Sequence, residues 1–359
     1  MINSGSWQLY SENKEAWLAM LNDCANAKIS IDLEQFIFIN DDFGQKLINI
    51  CKNRAKEGVQ VRFLWDAAGS FTFWGSELVN ELKDSGIKLI FWKTLIPSYF
   101  KVPNFRYWFF RNHRRTLIID NKIGYTGSLC VDDKLKNWRD TNVRLEGPVV
   151  NEMYGAFEQM WSRAINKRPA RYKRLLKNEE FRYVTNYPSP GRRHIYSEIL
   201  KAIRKSEHYI YITTPYFVPT HRLLRTIKAA SYRGVDIRII LPEKSDHYIV
   251  DLGARAFFRS LLHSGVRIYL YKGNMIHSKA ITIDNTWATV GSMNLDSISL
   301  LYNFEANIIT TNDRFAKTLK EHFFEDITES TEINLKNWQK RPFYQKILET
   351  LTHLIKRLL

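Results

Sequence analysis

Two hydrophobic rhythms run along this chain: strand-like clusters of β-branched and aromatic residues, and apolar residues spaced three and four apart. Their succession occurs twice. Residues 29–39 and 209–218 are strand-like runs. Behind the first, Ile48, Cys51 and Ala55 fall at helical spacing and lead through Gly58 into a strand-like run at 59–64. Behind the second, Leu224, Ile227 and Ala230 lead through Gly234 into 235–240. The unit continues with a helix at 78–83, Gly86 and a strand at 87–92, matched by a helix at 254–262, Gly265 and a strand at 266–271. A glycine after a helix and before a strand is a natural C-terminal stop. The pattern predicts β-α-β-α-β twice, and hence an α/β fold of two similar halves, each a mixed β-sheet flanked by helices.

The halves are expected over residues 1–165 and 196–330. Residues 163–177 carry seven basic side chains and no acidic one, and a Pro/Ser/Gly cluster follows at 187–191, so 166–195 is expected to be a solvated basic linker. At 359 residues, 45% of them apolar, the chain can bury a substantial core, which excludes a disordered or fibrous protein. Fifty-three Lys and Arg against 37 Asp and Glu leave a net charge of +16, so the surface concentrates anions: nucleic acid, anionic lipid headgroups or phosphorylated metabolites. Cys24, Cys51 and Cys130, odd in number and widely spaced, fit neither a disulfide framework nor zinc knuckles and suit a reducing compartment. No apolar run approaches the ~18–20 residues that span a bilayer, and residues 1–17 lack the basic-then-apolar order of a signal peptide, so any membrane contact is expected to be peripheral.

Chemistry enters after the third strand of each half. The second half reads His277-Ser278-Lys279-Ala280-Ile281-Thr282-Ile283-Asp284, then Gly291-Ser292-Met293-Asn294. The first reads His113-Arg114-Arg115-Thr116-Leu117-Ile118-Ile119-Asp120, then Gly127-Ser128-Leu129-Cys130. In both, Asp follows His by 7 residues, Gly by 14 and Ser by 15. Residues two apart on a strand share a face, so His277 with Lys279, and His113 with Arg115, are expected to project together. An imidazole beside a fixed cation suits a phosphodiester. One neutral ring attacks phosphorus while the other protonates the departing alkoxide; Arg115, Lys279, Ser128, Ser292 and Asn294 hold the non-bridging oxygens. This chemistry requires no metal and no cofactor. Asp140 and Glu305, 27 and 28 residues after the two histidines, are candidates to orient the rings through their other nitrogen. Asp120 and Asp284 fall on the opposite strand face, where a structural ion pair is expected.

These segments, within residues 107–134 and 271–298, resemble the phospholipase D superfamily, whose HxKxxxxD and GSxN signature occurs twice; among its members the chain is most similar to bacterial cardiolipin synthases. The likeness extends to Trp138-Arg139-Asp140-Thr141, Glu146-Gly147-Pro148, Thr214-Pro215-Tyr216-Phe217-Val218-Pro219, Asn294-Leu295-Asp296 and Asn303-Phe304-Glu305-Ala306-Asn307. It implies one active site at the interface of the halves, with His113 as nucleophile facing His277 as general acid and base. It also implies that Asp120 and Asp284 complete the two catalytic motifs. Two positions depart from the family pattern: Arg115 stands where Lys is usual, and Cys130 where Asn is usual. Arginine keeps the charge on a larger, forked group. Cys130 loses an amide donor and reads as a small packed residue.

The first half inserts extra residues before its motif: His113 follows Gly86 by 27 positions, whereas His277 follows Gly265 by 12. The insertion, within 95–111, interleaves aromatics with Lys101, Arg106 and Arg111, as a loop at a lipid headgroup boundary does, or as core packing would. Over 335–359, Phe343, Ile347, Leu351, Leu354 and Leu358 recur at helical spacing with Lys346, Lys356 and Arg357 alongside: an amphipathic helix for a membrane surface or for docking on the protein. The expectation is a phosphatidyltransferase passing a phosphatidyl group to phosphatidylglycerol at the cytoplasmic face of a bacterial inner membrane, its partners anionic phospholipids and its oligomeric state open. Hydrolysis to phosphatidic acid, a metal-independent nuclease without any recognisable nucleic-acid motif, and a phosphate-binding remnant without turnover are the alternatives.

Overall fold

The computed structural model describes residues 5–73, 75–92, 110–165, 180–343, 345, 348 and 352. The first lobe runs β1 (Trp7–Glu12), α1 (Asn13–Ala25), β2 (Ser30–Gln35), α2 (Asp42–Lys56), β3 (Gln60–Asp66), α3 (Glu77–Asp84), β4 (Lys88–Trp92), β5 (Thr116–Ile119), β6 (Ile123–Gly127), β7 (Arg139–Glu146) and α4 (Val149–Ala164). Its sheet has the order β1-β7-β6-β5-β2-β3-β4. The second lobe runs β8 (Phe181–Asn186), α5 (His194–Lys205), β9 (Tyr209–Thr213), α6 (His221–Tyr232), β10 (Asp236–Pro242), α7 (Tyr248–His263), β11 (Arg267–Tyr271), β12 (Ala280–Ile283), β13 (Trp287–Gly291), α8 (Ser297–Leu301), β14 (Glu305–Thr310), α9 (Asp313–Thr328), β15 (Ser330–Glu332) and α10 (Leu335–Gln339). Its sheet order is β15-β11-β10-β9-β12-β13-β14-β8. Both sheets are mixed, as expected. Strands β2-β3-β4 and β9-β10-β11 are parallel, and β5, β6 and β7, like β12, β13 and β14, join antiparallel.

The local sequence accounts for these elements. Asp41 caps α2 by accepting the Gly44 N–H, and the helix buries Phe43, Leu47, Ile48 and Cys51 on one face. Thr220 caps α6 in the same way, above a buried stripe of Leu223, Ile227 and Ala230. These faces close a core over each sheet, with Phe63 and Trp65 at the first centre and Ile212 and Ile239 at the second. A third core takes Leu64, Ile118 and Phe157 from the first lobe and Val290, Ala306 and Phe315 from the second, so the lobes share an apolar seam.

Three expectations change. The first strands are shorter than their hydrophobic runs: β2 ends at Gln35 and β9 at Thr213, and beyond them Phe38 on one side and Phe217 and Val218 on the other still pack into the core of their own lobe. The linker expected over 166–195 is partly a structural element, for Phe181–Asn186 is β8, antiparallel to β14. It occupies the place that β1 holds beside β7, so the second lobe begins near residue 181 rather than 196. Residues 166–179, the body of the aromatic and basic insertion (93–109) and most of the expected terminal helix beyond 343 lie outside the described residues. Among the described residues, no helix is long and apolar enough to cross a membrane.

Candidate active site

Each histidine stands three residues ahead of the strand that pairs antiparallel with the first parallel strand of its lobe, His113 before β5 and His277 before β12, rather than on the strand itself. The expected two-residue alternation persists in that extended lead-in. Lys279 Nζ lies 2.8 Å from His277 Nε2 and donates to the His277 carbonyl at 2.9 Å. Arg115 Nη2 lies 3.0 Å from His113 Nε2, and its Nη1 donates to the His113 carbonyl at 3.2 Å.

The opposite lobe holds each segment. His113 N–H donates to the Phe304 carbonyl at 2.9 Å, and His277 N–H to the Arg139 carbonyl at 2.8 Å. The side chains cross in the same sense. His113 Nδ1 lies 2.9 Å from Glu305 Oε1, and His277 Nδ1 lies 3.1 Å from Asp140 Oδ2. The structure thus brings Asp140 and Glu305 to the imidazoles, each on the ring of the other lobe. Because both Nε2 atoms face cationic donors, the ring proton belongs on Nδ1, where it is donated to the carboxylate, and Nε2 keeps its lone pair.

Glycine makes the neighbouring contacts possible. A Cβ on Gly127 would come within 2.3 Å of Asn142 Oδ1, and one on Gly291 within 2.4 Å of the Ala306 carbonyl. This close approach lets the next residues reach across the sheet: Ser128 donates to Asp140 and Ser292 to Glu305. Both serines are fully buried, which corrects their assignment as phosphate-binding groups; their hydroxyl protons are engaged by the carboxylates. Asn294 is also buried, and its Oδ1 has no hydrogen-bond partner.

The two imidazole–carboxylate pairs are electrostatically unequal. Burial holds His113 well below the ordinary imidazole range, and the Arg115 and Lys279 charges add to it. Burial and Lys279 push His277 down to about 4, with Asp140 opposing. Burial, reinforced by Arg115, takes Lys279 down to about 7. In Glu305 burial prevails over its donors and raises the carboxyl to about 8. In Asp140 burial also acts upward, yet His277, Lys279 and Ser128 outweigh it and hold the group below its ordinary range. The geometry agrees, since Asp140 Oδ1 accepts the Thr141 N–H at 2.8 Å as well as the Ser128 hydroxyl. The two carboxyls are thus pulled in opposite directions, Asp140 toward its ionised form and Glu305 toward its protonated one.

Asp120 and Asp284 do not join this cluster. They sit beyond the far ends of β5 and β12, in turns where φ is 53° and 52°. Asp120 accepts the N–H groups of Lys28, Ile29 and Ser30, and Asp284 those of Glu207, His208 and Tyr209. Both the expected ion pair and the catalytic assignment are corrected. The left-handed turn aims each carboxylate at unpaired amides entering the neighbouring parallel strand, and their role is to cradle that strand end.

Further residues meet the site without having been assigned to it from the sequence. The Phe36 ring meets His113 edge-on at 4.7 Å, and Tyr216 approaches His277 at 6.5 Å. Each follows the first parallel strand of its lobe, so the duplication itself was the available signal. Buried Asp66 pairs with Arg111 and accepts the Asn112 N–H at 2.8 Å, while Asn112 Nδ2 donates to Glu34 at 2.7 Å, anchoring the approach to His113. Cys130 is buried as expected, yet its sulfur accepts from Arg115 Nε at 2.9 Å. Among the described residues no group of three or more His, Cys, Asp or Glu side chains could hold a metal ion.

Comparison with known proteins agrees with this architecture. The family model described as cardiolipin synthase, PLD-like domain, matches residues 20–161 and 199–327, one match per lobe. A cardiolipin synthase from Clostridium perfringens is 30% identical over 98% of this chain and 76% of its own length. Cardiolipin synthase A from Wigglesworthia glossinidia brevipalpis is 33% identical over the whole chain and 75% of its own length. Among solved structures, phosphatidylserine synthase from Haemophilus influenzae shares the fold, with a TM-score of 0.75 over 98% of this chain and 95% of the other at 14% identity.

Proposed function

We infer the reaction from the premise that the chain belongs to the cardiolipin synthase, PLD-like domain family and is a phospholipase D-type phosphatidyltransferase. Phosphatidylglycerol serves as both donor and acceptor, and the phosphatidyl group passes through His113. The observation that carries this reading is the crossed pairing of His113 with Glu305 and His277 with Asp140 in one buried centre.

His113, neutral and with its Nε2 lone pair available, attacks phosphorus; the bond from phosphorus to the headgroup oxygen breaks, and the departing glycerol alkoxide takes a proton from His277. An anionic phosphodiester beside the ring raises the proton affinity of His277, and ionised Asp140 stabilises the resulting imidazolium. A hydroxyl of a second phosphatidylglycerol then gives its proton to His277 and attacks phosphorus, breaking the phosphorus–nitrogen bond. Two phosphatidylglycerols yield cardiolipin and glycerol. Ionised Asp140 suits His277 to proton transfer, and protonated Glu305 leaves His113 the nucleophile. Arg115, Lys279 and Asn294 hold the non-bridging oxygens, so no metal enters the step.

Liposomes of phosphatidylglycerol incubated with the protein, with products read by mass spectrometry, test the assignment. Cardiolipin is expected, at an undiminished rate in the presence of a chelator. Phosphatidic acid alone would make the protein a hydrolase; cleavage of plasmid DNA with no lipid turnover would make it a nuclease. Denaturing quench with headgroup-labile, phosphate-labelled lipid is expected to trap label on the His277→Asn variant and none on His113→Asn.

A further inference from the structure

Lys279 and Asn294 stand at the same positions in the second lobe as Arg115 and Cys130 in the first. The two departures of the first lobe touch one another. Arg115 Nε donates to Cys130 Sγ at 2.9 Å, inside a site where both residues are almost fully buried. The rest of the guanidinium is also held, by the His113 carbonyl at 3.2 Å, by His113 Nε2 at 3.0 Å and by the Phe36 ring 5.9 Å away. The segment carrying Cys130 is pinned in turn: Val131 N–H donates to the Ile37 carbonyl at 3.1 Å, and Ile39 N–H to the Val131 carbonyl at 2.8 Å. One strap therefore fixes both the sulfur beneath the guanidinium and the aromatic ring beside it.

From this geometry we propose that Cys130 is a positioning residue, whose sulfur accepts from Arg115 Nε and sets the guanidinium plane so that Nη1 and Nη2 meet two non-bridging oxygens of the phosphodiester. The proposal rests on the phosphoryl-transfer reading above. A lysine has no Nε–H and needs no acceptor there. A buried arginine does, because an unsatisfied donor in a dry site is costly. Asparagine at 130 would extend beyond the sulfur position into the 2.9 Å gap and displace the fork. Arginine and cysteine thus form one unit that replaces the lysine and asparagine of the second lobe. As Nε2 of His113 moves onto phosphorus, its contact with Nη2 is exchanged for one with a phosphate oxygen; the Nε anchor keeps the cation from swinging away.

The test is a double-mutant cycle in the full chain, with kcat and KM for phosphatidylglycerol turnover and calorimetric affinity for inorganic phosphate measured on every variant. Arg115→Lys and Cys130→Asn are each expected to lower kcat about tenfold or more, the scale of one hydrogen bond to a charged group, with KM little changed. The double variant, which reproduces the second lobe's pair, is expected to recover to within about threefold of the wild type. Cys130→Ala should follow the single variants and Cys130→Ser, which keeps an acceptor, should restore part of the loss; this pair decides the matter if the asparagine variant does not fold. Single effects that multiply in the double variant, or an unimpaired Cys130→Ala, would overturn the proposal. A wild type that binds phosphate with the expected cycle of affinities but turns over no lipid would retain the pair and reject the lipid reading.

Discussion

The inequality of the two imidazole–carboxylate pairs has direct consequences at the level of single residues. Asp140, ionised and accepting three donors, stabilises the charged form of His277; Glu305, held protonated, orients His113 without stabilising a charge on it. Asp140→Asn is therefore expected to lower kcat by about 10³–10⁴, the scale of removing the charged partner of a catalytic imidazole, and Glu305→Gln by about 10–100-fold, the scale of losing an orienting partner. Steady-state kinetics at matched lipid concentration checks the difference. The same groups set a pH dependence of stability. The folded-state pKa of Glu305, about 8, lies above its ordinary 4.5, so the stability of its protonated form is complete below 4.5 and is lost as pH rises through 8. Glu305→Gln escapes that loss. Its Tm relative to wild type should climb between about pH 4.5 and pH 8 and level off above that, as thermal unfolding at each pH would register. The two turn aspartates bond to backbone amides and not to the imidazoles. Asp120→Ala surrenders three backbone hydrogen bonds to a charged group and should cost about 1.5–3 kcal/mol of stability; Asp120→Asn, which tolerates the left-handed turn, should cost less, and in both the kcat of the folded protein should be unchanged.

The elements that pattern made legible are those whose burial is local. The β-α-β-α-β succession stood out because β2, β3, α2 and their counterparts in the second lobe bury a continuous face within one lobe. The paired histidines, the cations and Asp140 with Glu305 were legible for a different reason: duplication put them at matching offsets, and chance does not supply two such registers. What remained hidden depends on the partner lobe or on an edge. Strand β8 is six residues, four of them buried without strict alternation, placed just behind a basic run, and its sheet partner, β14, lies more than a hundred residues away. The hydroxyls of Ser128 and Ser292 point to carboxylates rather than phosphate because β7 and β14 lie beside them, which spacing alone does not encode. Arg139 was visible only as part of a motif, yet from β7 it reaches α9 of the second lobe, pairing with Asp326 at 2.5 Å while its backbone bridges to Met275 and His277. Burial raises Asp326 to about 6 even beside that guanidinium. Arg139→Met strands a buried carboxylate and should destabilise the protein by about 3–5 kcal/mol. The added substitution Asp326→Leu, which removes the orphaned charge, should recover most of the loss in a denaturant titration.

For the whole molecule, the arrangement leaves neither lobe complete without the other. The imidazoles of His113 and His277 take their carboxylate partners, and their backbone N–H groups take their acceptors, across the interface. The apolar seam joins Leu64, Ile118 and Phe157 to Val290, Ala306 and Phe315, and opening it would expose a core rather than a wet surface. Separation of the lobes would also part Arg139 from Asp326 and take the His277 hydrogen bond from buried Asp140. Two tandem domains joined by a linker would melt independently; this pair should not. Urea unfolding is expected to be one cooperative transition in which far-UV circular dichroism, tryptophan fluorescence and loss of lipid turnover share a midpoint. Substitutions in the seam, such as Val290→Ala, should lower that midpoint for all three probes together. Two resolved transitions, or turnover lost at a urea concentration where both lobes remain folded, would mean that the lobes are coupled at the active site alone. The shared core would then be a contact surface without a part in holding the centre together.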